Sequence, residues 1–284
     1  MPALAKFAKV MYSFNRAVKD PMKSSMPSTE STHRASDRAS YFALIPAAGV
    51  GARMQADGPK QYLPIGGAPM LAHTVKAFLA CDAIAHTFVV VSPDDGQIDA
   101  VAAPLGAGVS VLRCGGATRM DSILNGLQAI AARVHDDDWI LVHDAARPGL
   151  TAALIDQLIV ATGAHPVGGL LALPVVDTVK KTGGDEDAGV ATVARDGLWL
   201  AQTPQMFRFS LLRRALDAAR ESGAEASITD DASAVEALGL SPLLVEGHPR
   251  NLKVTLPRDI EIAAMYLAAA GTAAHPSTTT PDPK

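Results

Sequence analysis

Hydrophobic and polar positions follow two rhythms along this chain. Short apolar runs, namely Phe42-Ala43-Leu44-Ile45-Pro46, Phe88-Val89-Val90-Val91-Ser92, Ser110-Val111-Leu112-Arg113, Trp139-Ile140-Leu141-Val142-His143 and Val167 to Leu173, read as buried strands. Between them, helical spacing runs over Pro69 to Ala80, about Met120 to Arg133, and Ala152 to Thr162. Strands separated by amphipathic helices predict βαβ units with right-handed crossovers, hence an α/β fold built on a doubly wound, mainly parallel sheet. Further on, Pro174 to Lys181 and Val190 to Arg195 read as two strands around a Gly-rich turn, Gly183 to Gly189. Such an exposed, Lys-rich hairpin either projects or swaps. Asn251-Leu252-Lys253-Val254-Thr255 reads as a strand with one Lys in a small or apolar frame, and Ala232 to Leu238 as a helix.

The two ends have a different texture. In residues 1–40, Lys6, Lys9, Arg16, Lys19, Lys23, Arg34 and Arg38 outnumber the acids, and Ser and Thr dominate from Ser24 onward. That composition fits a disordered extension ahead of the fold, or an Arg- and Ser-rich organellar presequence. Residues 271–284, rich in Thr and Pro, read as a disordered tail. This leaves residues 41–270 as one large domain, with the hairpin at about 174–198 as an inserted arm. Net charge is −4, so no global field recruits nucleic acid, and any anion site is local. No apolar run approaches the ~20 residues of a membrane span. Cys81 and Cys114 have neither framework nor metal-ligand spacing and read as small hydrophobes in a reducing cytoplasm.

Candidate chemistry lies just past strand ends, where ligands of open α/β sheets bind. Ala47-Ala48-Gly49-Val50-Gly51-Ala52-Arg53-Met54 follows the first strand, with Pro59-Lys60-Gln61 close behind. Glycines there let backbone N–H groups approach an anion closely, and Arg53 and Lys60 add full positive charges. The spacing is neither the dinucleotide fingerprint nor the P-loop, and a triphosphate is the expected guest. Gly115-Gly116-Ala117-Thr118-Arg119-Met120-Asp121-Ser122 follows the third strand and opens a helix. Glycine permits close approach of a flat base and Ser122 offers a hydroxyl, while Arg119 reads as a ligand or a structural brace. Asp144, in Leu141-Val142-His143-Asp144-Ala145-Ala146-Arg147-Pro148, is a carboxylate behind a buried strand and needs a partner. Mg²⁺ suits it, since that ion takes one or two carboxylates plus substrate phosphates. A helix cap or a pair with Arg147 is the alternative. His143 reads as structural.

These segments, with Asp196-Gly197-Leu198-Trp199, Gln202-Thr203-Pro204-Gln205, Ile228-Thr229-Asp230-Asp231 and Asn251 to Thr255, resemble the 2-C-methyl-D-erythritol 4-phosphate cytidylyltransferases. The likeness runs from about Tyr41 to Leu267. It implies a nucleotidyltransferase fold and transfer of CMP from CTP to 2-C-methyl-D-erythritol 4-phosphate, with pyrophosphate released, on the way to isoprenoid precursors. A divalent cation such as Mg²⁺ near Asp144 and a homodimer through the arm are implied as well. Arg53, Lys60, Arg195 and Lys253 then carry catalysis. Ala47, Ala48, Gly49, Gly51, Gly116, Ala117 and Ser122 surround the nucleotide, and Asp144, Ala145, Arg147, Thr203 and Thr229 contact substrate. Thr178 and Arg195 reach the site of the neighbouring subunit; read alone, Arg195 is a solvated charge. The family's Gly-Gly-x-x-Arg segment often carries Asp where this chain has Ala117, which removes any side-chain contact there. The alternatives are a cytidylyltransferase for another polyol or sugar phosphate, such as ribitol 5-phosphate, and a non-catalytic nucleotide-binding regulator.

Overall fold

The computed structural model describes residues 39–49, 58–183 and 189–272. The chain opens with strand β1 (Tyr41–Pro46), a small hairpin of β2 (Pro64–Ile65) and β3 (Ala68–Pro69), helix α1 (Met70–Leu79) and β4 (Ile84–Val90). It continues through α2 (Ile98–Ala102), β5 (Val109–Leu112), α3 (Arg119–Ile130), β6 (Trp139–Val142), α4 (Ala152–Thr162) and β7 (Gly168–Pro174). The arm strands β8 (Val179–Thr182) and β9 (Val190–Val193) follow, then β10 (Trp199–Arg208), α5 (Phe209–Glu221), α6 (Asp231–Ala237), β11 (Leu243–Glu246) and α7 (Pro257–Thr272).

The main sheet has seven strands in the order β11-β7-β10-β6-β1-β4-β5. All are parallel except β10, which runs antiparallel to both β6 and β7. Period-2 alternation sends successive side chains to opposite faces. Ala43, Ile45, Val89, Val91, Trp139 and Leu141 pack under α1, α2 and α4. Leu44, Phe88, Val90, Ile140 and Val142 pack under α3, α5 and α6 on the other face. Both faces are therefore dry, which is why these strands read as continuous apolar runs. The sheet is mainly parallel and doubly wound, as the alternation predicts. The chain leaves β1 for β4 and β5 on one side and returns to β6 on the other, so the order switches beside β1.

Several elements differ from the sequence expectation. Strand β4 begins upstream of Phe88, at Ile84, and α7 continues to Thr272, into the stretch read as tail. Strand β10 is missing from the sequence reading because its centre, Gln202-Thr203-Pro204-Gln205, is polar and holds a proline. The fold accommodates this with a break in the β10–β7 ladder between Ala201 and Gln205. Residues 251–255 do not form the expected strand: Asn251 ends a short 3₁₀ turn and no ladder follows. Backbone partners there come one at a time, with Asn251 C=O accepting from Arg147 Nη1 at 2.7 Å and Val254 N–H donating to Ala146 C=O at 2.8 Å. The arm forms its own two-stranded sheet, apart from the main one.

Candidate active site

Three strand ends build the site. Past β1, Ala47 N–H donates to Val90 C=O at 2.7 Å, so the chain holds strand direction before turning away. The buried side chain of Gln61 donates to Ala47 C=O at 2.7 Å and ties the short turn Lys60–Tyr62 against this strand end. Tyr62 secures the other side of that turn through its hydroxyl, which donates to Asp95 at 2.7 Å. Past β5, Gly115 lies so close to Ala48 that a Cβ added there would sit 2.3 Å from the Ala48 methyl. Only glycine permits that approach. Thr118 and Asp121 then close a capping box at the start of α3. Past β6, Asp144 N–H donates to Thr203 Oγ1 at 3.1 Å, which sets the strand end against β10.

These ends enclose a cavity of about 530 Å³ lined by Ala47, Ala48, Gly49, Lys60, Gln61, Gly116, Ala117, Thr118, Arg119, Ser122, Asp144, Ala145, Lys253 and Thr255, among others. Ten of the residues picked out in the sequence thus meet in one place: Ala47, Ala48, Gly49, Lys60, Gly116, Ala117, Ser122, Asp144, Ala145 and Lys253. Gly51 and Arg53 lie outside the described residues, as do residues 1–38 and 273–284. A second cavity of about 220 Å³ is lined by Arg147, Gln202, Thr203, Gln205, Thr229 and Asp230, and shares Arg119, Asp144 and Lys253 with the first. Thr178 and Arg195 line neither cavity. Both are exposed on the arm, where Arg195 Nη1 donates to Val176 C=O.

Asp144 is the electrostatic hub. Its Oδ1 accepts from Arg119 Nε at 2.9 Å, its Oδ2 lies 2.8 Å from Lys253 Nζ, and Arg147 Nε stands 3.8 Å away. Burial alone would raise this carboxyl, but Arg119, Lys253 and Arg147 outweigh burial and hold it well below the usual carboxylate range. Arg119 is itself a brace: its Nη1 and Nη2 donate to both oxygens of Asp231, at 3.2 and 2.8 Å. Burial opposes its charge, yet the two carboxylates raise it above its ordinary value. His143 is fully buried, shares a 2.8 Å hydrogen bond with Thr203 Oγ1, and is pushed down to about 3 by burial. It lines neither cavity, in keeping with a structural histidine.

Other expectations gain physical detail. Ser122 Oγ donates to Thr118 C=O at 2.9 Å and accepts from Gly116 N–H at 3.0 Å, so its hydroxyl shapes the loop. One acceptor lone pair remains for a guest. Arg147 is buried, donates to the carbonyls of Asn251 and Ala201, and loses some proton affinity to burial. Asp230 caps α6, accepting from Ser233 N–H at 2.9 Å. Gln61, Gln205, Asp231 and Asn251 are buried polar residues of this region that lie within the sequence motifs but carry no assigned role there. Asp231 carried a faint signal, being the second acid of a pair at a helix start.

Asp144 is the one carboxylate among the described residues lining the larger cavity, and no cluster of three or more His, Cys, Asp or Glu able to hold a metal occurs among them. A Mg²⁺ ion fits here only where phosphate oxygens and water supply most of its ligands, which is the usual manner of that ion.

A doubly wound sheet with a glycine turn, a lysine and a carboxylate at adjoining strand ends defines a nucleotidyltransferase. The family model of 2-C-methyl-D-erythritol 4-phosphate cytidylyltransferase matches residues 41–269, and the chain belongs to that family. A relative of that name from Chromobacterium violaceum is 53% identical over 229 residues, 80% of this chain and 98% of its own length. One from Dechloromonas aromatica is 49% identical over 230 residues, 81% of this chain and 98% of its own. A crystal structure of 4-diphosphocytidyl-2C-methyl-D-erythritol synthase, 42% identical, superimposes with a TM-score of 0.71 over 82% of this chain and all of its own.

Proposed function

We infer that the protein transfers CMP from CTP to 2-C-methyl-D-erythritol 4-phosphate and releases pyrophosphate. The observation that carries this reading is the pair of cavities that meet at Asp144, Lys253 and Arg119. The larger one suits the nucleotide: Ala47, Ala48, Gly116, Ala117 and Ser122 form its base-sized wall and Lys60 its cationic one. The smaller one suits the acceptor, with Arg147, Thr203 and Thr229 around it. A phosphate oxygen of the acceptor then attacks the α-phosphorus of CTP and pyrophosphate leaves. The nucleophile is already ionised, so catalysis rests on alignment and charge neutralisation. Lys60 and Arg53 stabilise charge on the transferring and leaving groups. Lys253 exchanges Asp144 for a phosphate and lessens repulsion between the two anions. A divalent cation beside Asp144 would neutralise triphosphate charge when bound.

The arm supports a homodimer. Val176, Val190 and Leu198 are exposed along it, and Trp199 and Leu200 at its root on β10, an apolar surface that a second copy would cover. Thr178 and Arg195 then serve the partner's acceptor phosphate. The two free cysteines, one buried and one half-buried, favour a reducing cytoplasm as the working compartment; no helix among the described residues is long and apolar enough to cross a membrane.

A pyrophosphate-release assay over CTP, UTP, ATP and GTP, each with methylerythritol phosphate and ribitol 5-phosphate, tests the reading. Turnover should require CTP and the methylerythritol acceptor. Ala117 leaves UTP as the weakest rejection, because no side chain there reads the base edge. Efficient use of purines would overturn the base assignment, and preference for ribitol 5-phosphate would replace the acceptor.

A further inference from the structure

We propose that Arg119 is a positioning residue for this transfer: it grips one oxygen of Asp144 and both oxygens of Asp231, so that the second Asp144 oxygen faces the junction of the two cavities. The inference rests on the cytidylyl-transfer reading and assigns a task to Arg119 and Asp231, to which that reading gives none.

The guanidinium is a planar fork with donors in fixed directions. Here Nε goes to Asp144 Oδ1 at 2.9 Å while Nη1 and Nη2 take Asp231. A carboxylate alone turns easily about its last bond, whose torsion is broad and two-fold. Asp231 is 1% exposed, so its end of the clamp is embedded, and Arg119 transmits that rigidity to Asp144. Oδ2 is left with Arg147 Nε at 3.8 Å and with Lys253, whose side chain is 39% exposed on a flexible stem. When phosphates enter and draw Lys253 away, Asp144 stays in place rather than following it.

Asp231 also belongs to the first turn of α6, and the residues just before it, Thr229 and Asp230, line the smaller cavity. Gln205 anchors that turn, accepting from Ala232 N–H and donating to Asp230 Oδ2, each at 2.7 Å. The acceptor-side turn and the nucleotide-side carboxylate therefore form one hydrogen-bonded unit, with Arg119 as the link.

Two variants test this. Asp231→Asn is nearly isosteric and alters a residue that lines neither cavity; Arg119→Lys keeps the charge but loses the fork. Each should lower kcat by about 10–100-fold, the usual effect of removing an outer-shell partner, with KM for CTP within about twofold of wild type, since alignment rather than uniform binding is lost. The double variant should be no worse than the poorer single one, because the pair acts as a unit. Mn²⁺ bound in the enzyme–CTP complex, followed by electron paramagnetic resonance without acceptor, should change its line shape in both, because the carboxylate beside it is no longer held in one orientation. Asp231→Asn with wild-type kcat and a wild-type Mn²⁺ line shape overturns the proposal, even if it melts at a lower temperature. A raised CTP KM at unchanged kcat in Arg119→Lys also overturns it, making Arg119 a nucleotide ligand. Wild-type protein that releases no pyrophosphate would instead sink the transfer reading, and the Mn²⁺ measurement would still judge the clamp.

Discussion

Asp144 lies against Arg119, Lys253 and Arg147, and this changes what its substitution should do. Removing a carboxylate that served only a metal would relieve an unpaired charge in the metal-free protein and stabilise it. Removing the anion from among three cations leaves buried positive charge uncompensated. Asp144→Asn should therefore abolish most activity and also destabilise the metal-free protein by about 3–5 kcal/mol, read as a lower urea midpoint. An unchanged or raised midpoint would mean that the cations are well solvated without it. His143 makes a second residue-scale prediction. Its folded value of about 3 lies below the ordinary 6.5, so between these the unfolded chain binds a proton that the native state refuses. The stability this histidine contributes is complete above about pH 6.5 and is lost as pH falls toward about 3. His143→Gln should flatten the fall in unfolding free energy between about pH 6.5 and 4; an identical slope in both proteins would remove His143 from the acid response. Both residues were legible in the sequence as types at a strand end. Arg147 was legible too, as the pairing alternative for Asp144 three residues away; Arg119 and Lys253 were not, because they lie far from Asp144 along the chain.

At the scale of elements, the segment carrying Lys253 is held by side chains and close approach rather than by a ladder. Arg250 Nε donates to Gly149 C=O at 3.0 Å, and a Cβ on Gly149 would stand 1.8 Å from Arg250 C=O. The loop after β6 and the turn at Pro249–Asn251 are therefore in backbone contact. Asn251, fully buried, fastens the turn to β10 by donating to Thr203 C=O at 2.7 Å. Gly149→Ala should push Lys253 away from Asp144. Overpacking of this kind costs about 1–3 kcal/mol, so the melting temperature should drop, and kcat should drop with it. A variant that melts lower at full kcat would show that the Lys253 segment moves independently of this contact. The sequence suggested a strand here because apolar residues flank the lysine. Its true form depends on partners from two other elements, which local pattern does not contain. Strand β10 was hidden for a related reason: its polar centre is buried by specific partners, with Gln205 bonded to Asp230 and Ala232, whereas pattern reading treats polar residues as solvated.

For the whole molecule, the open question of assembly has a direct test. If Arg195 serves the partner's site, Lys60→Ala and Arg195→Ala chains co-expressed as a heterodimer place both defects in one site and neither in the other. Activity should return to about half the wild-type rate per heterodimer, or about a quarter in a random mixture, assuming independent sites in a twofold dimer. Tagged heterodimers with no recovered activity would return Arg195 to its own subunit or to the solvent. The alternation of apolar strands with amphipathic helices determined the α/β class, the doubly wound sheet and the placing of the candidate residues past strand ends, because periodicity records which faces are dry. The motifs determined the family, since their residue types and order are local properties of the chain. Tertiary structure decided the antiparallel insertion of β10 between β6 and β7, the meeting of two cavities at Asp144, and the clamp from Arg119 to Asp231. Each of these depends on contacts between residues far apart in the chain, whose partners are chosen by packing and charge in three dimensions.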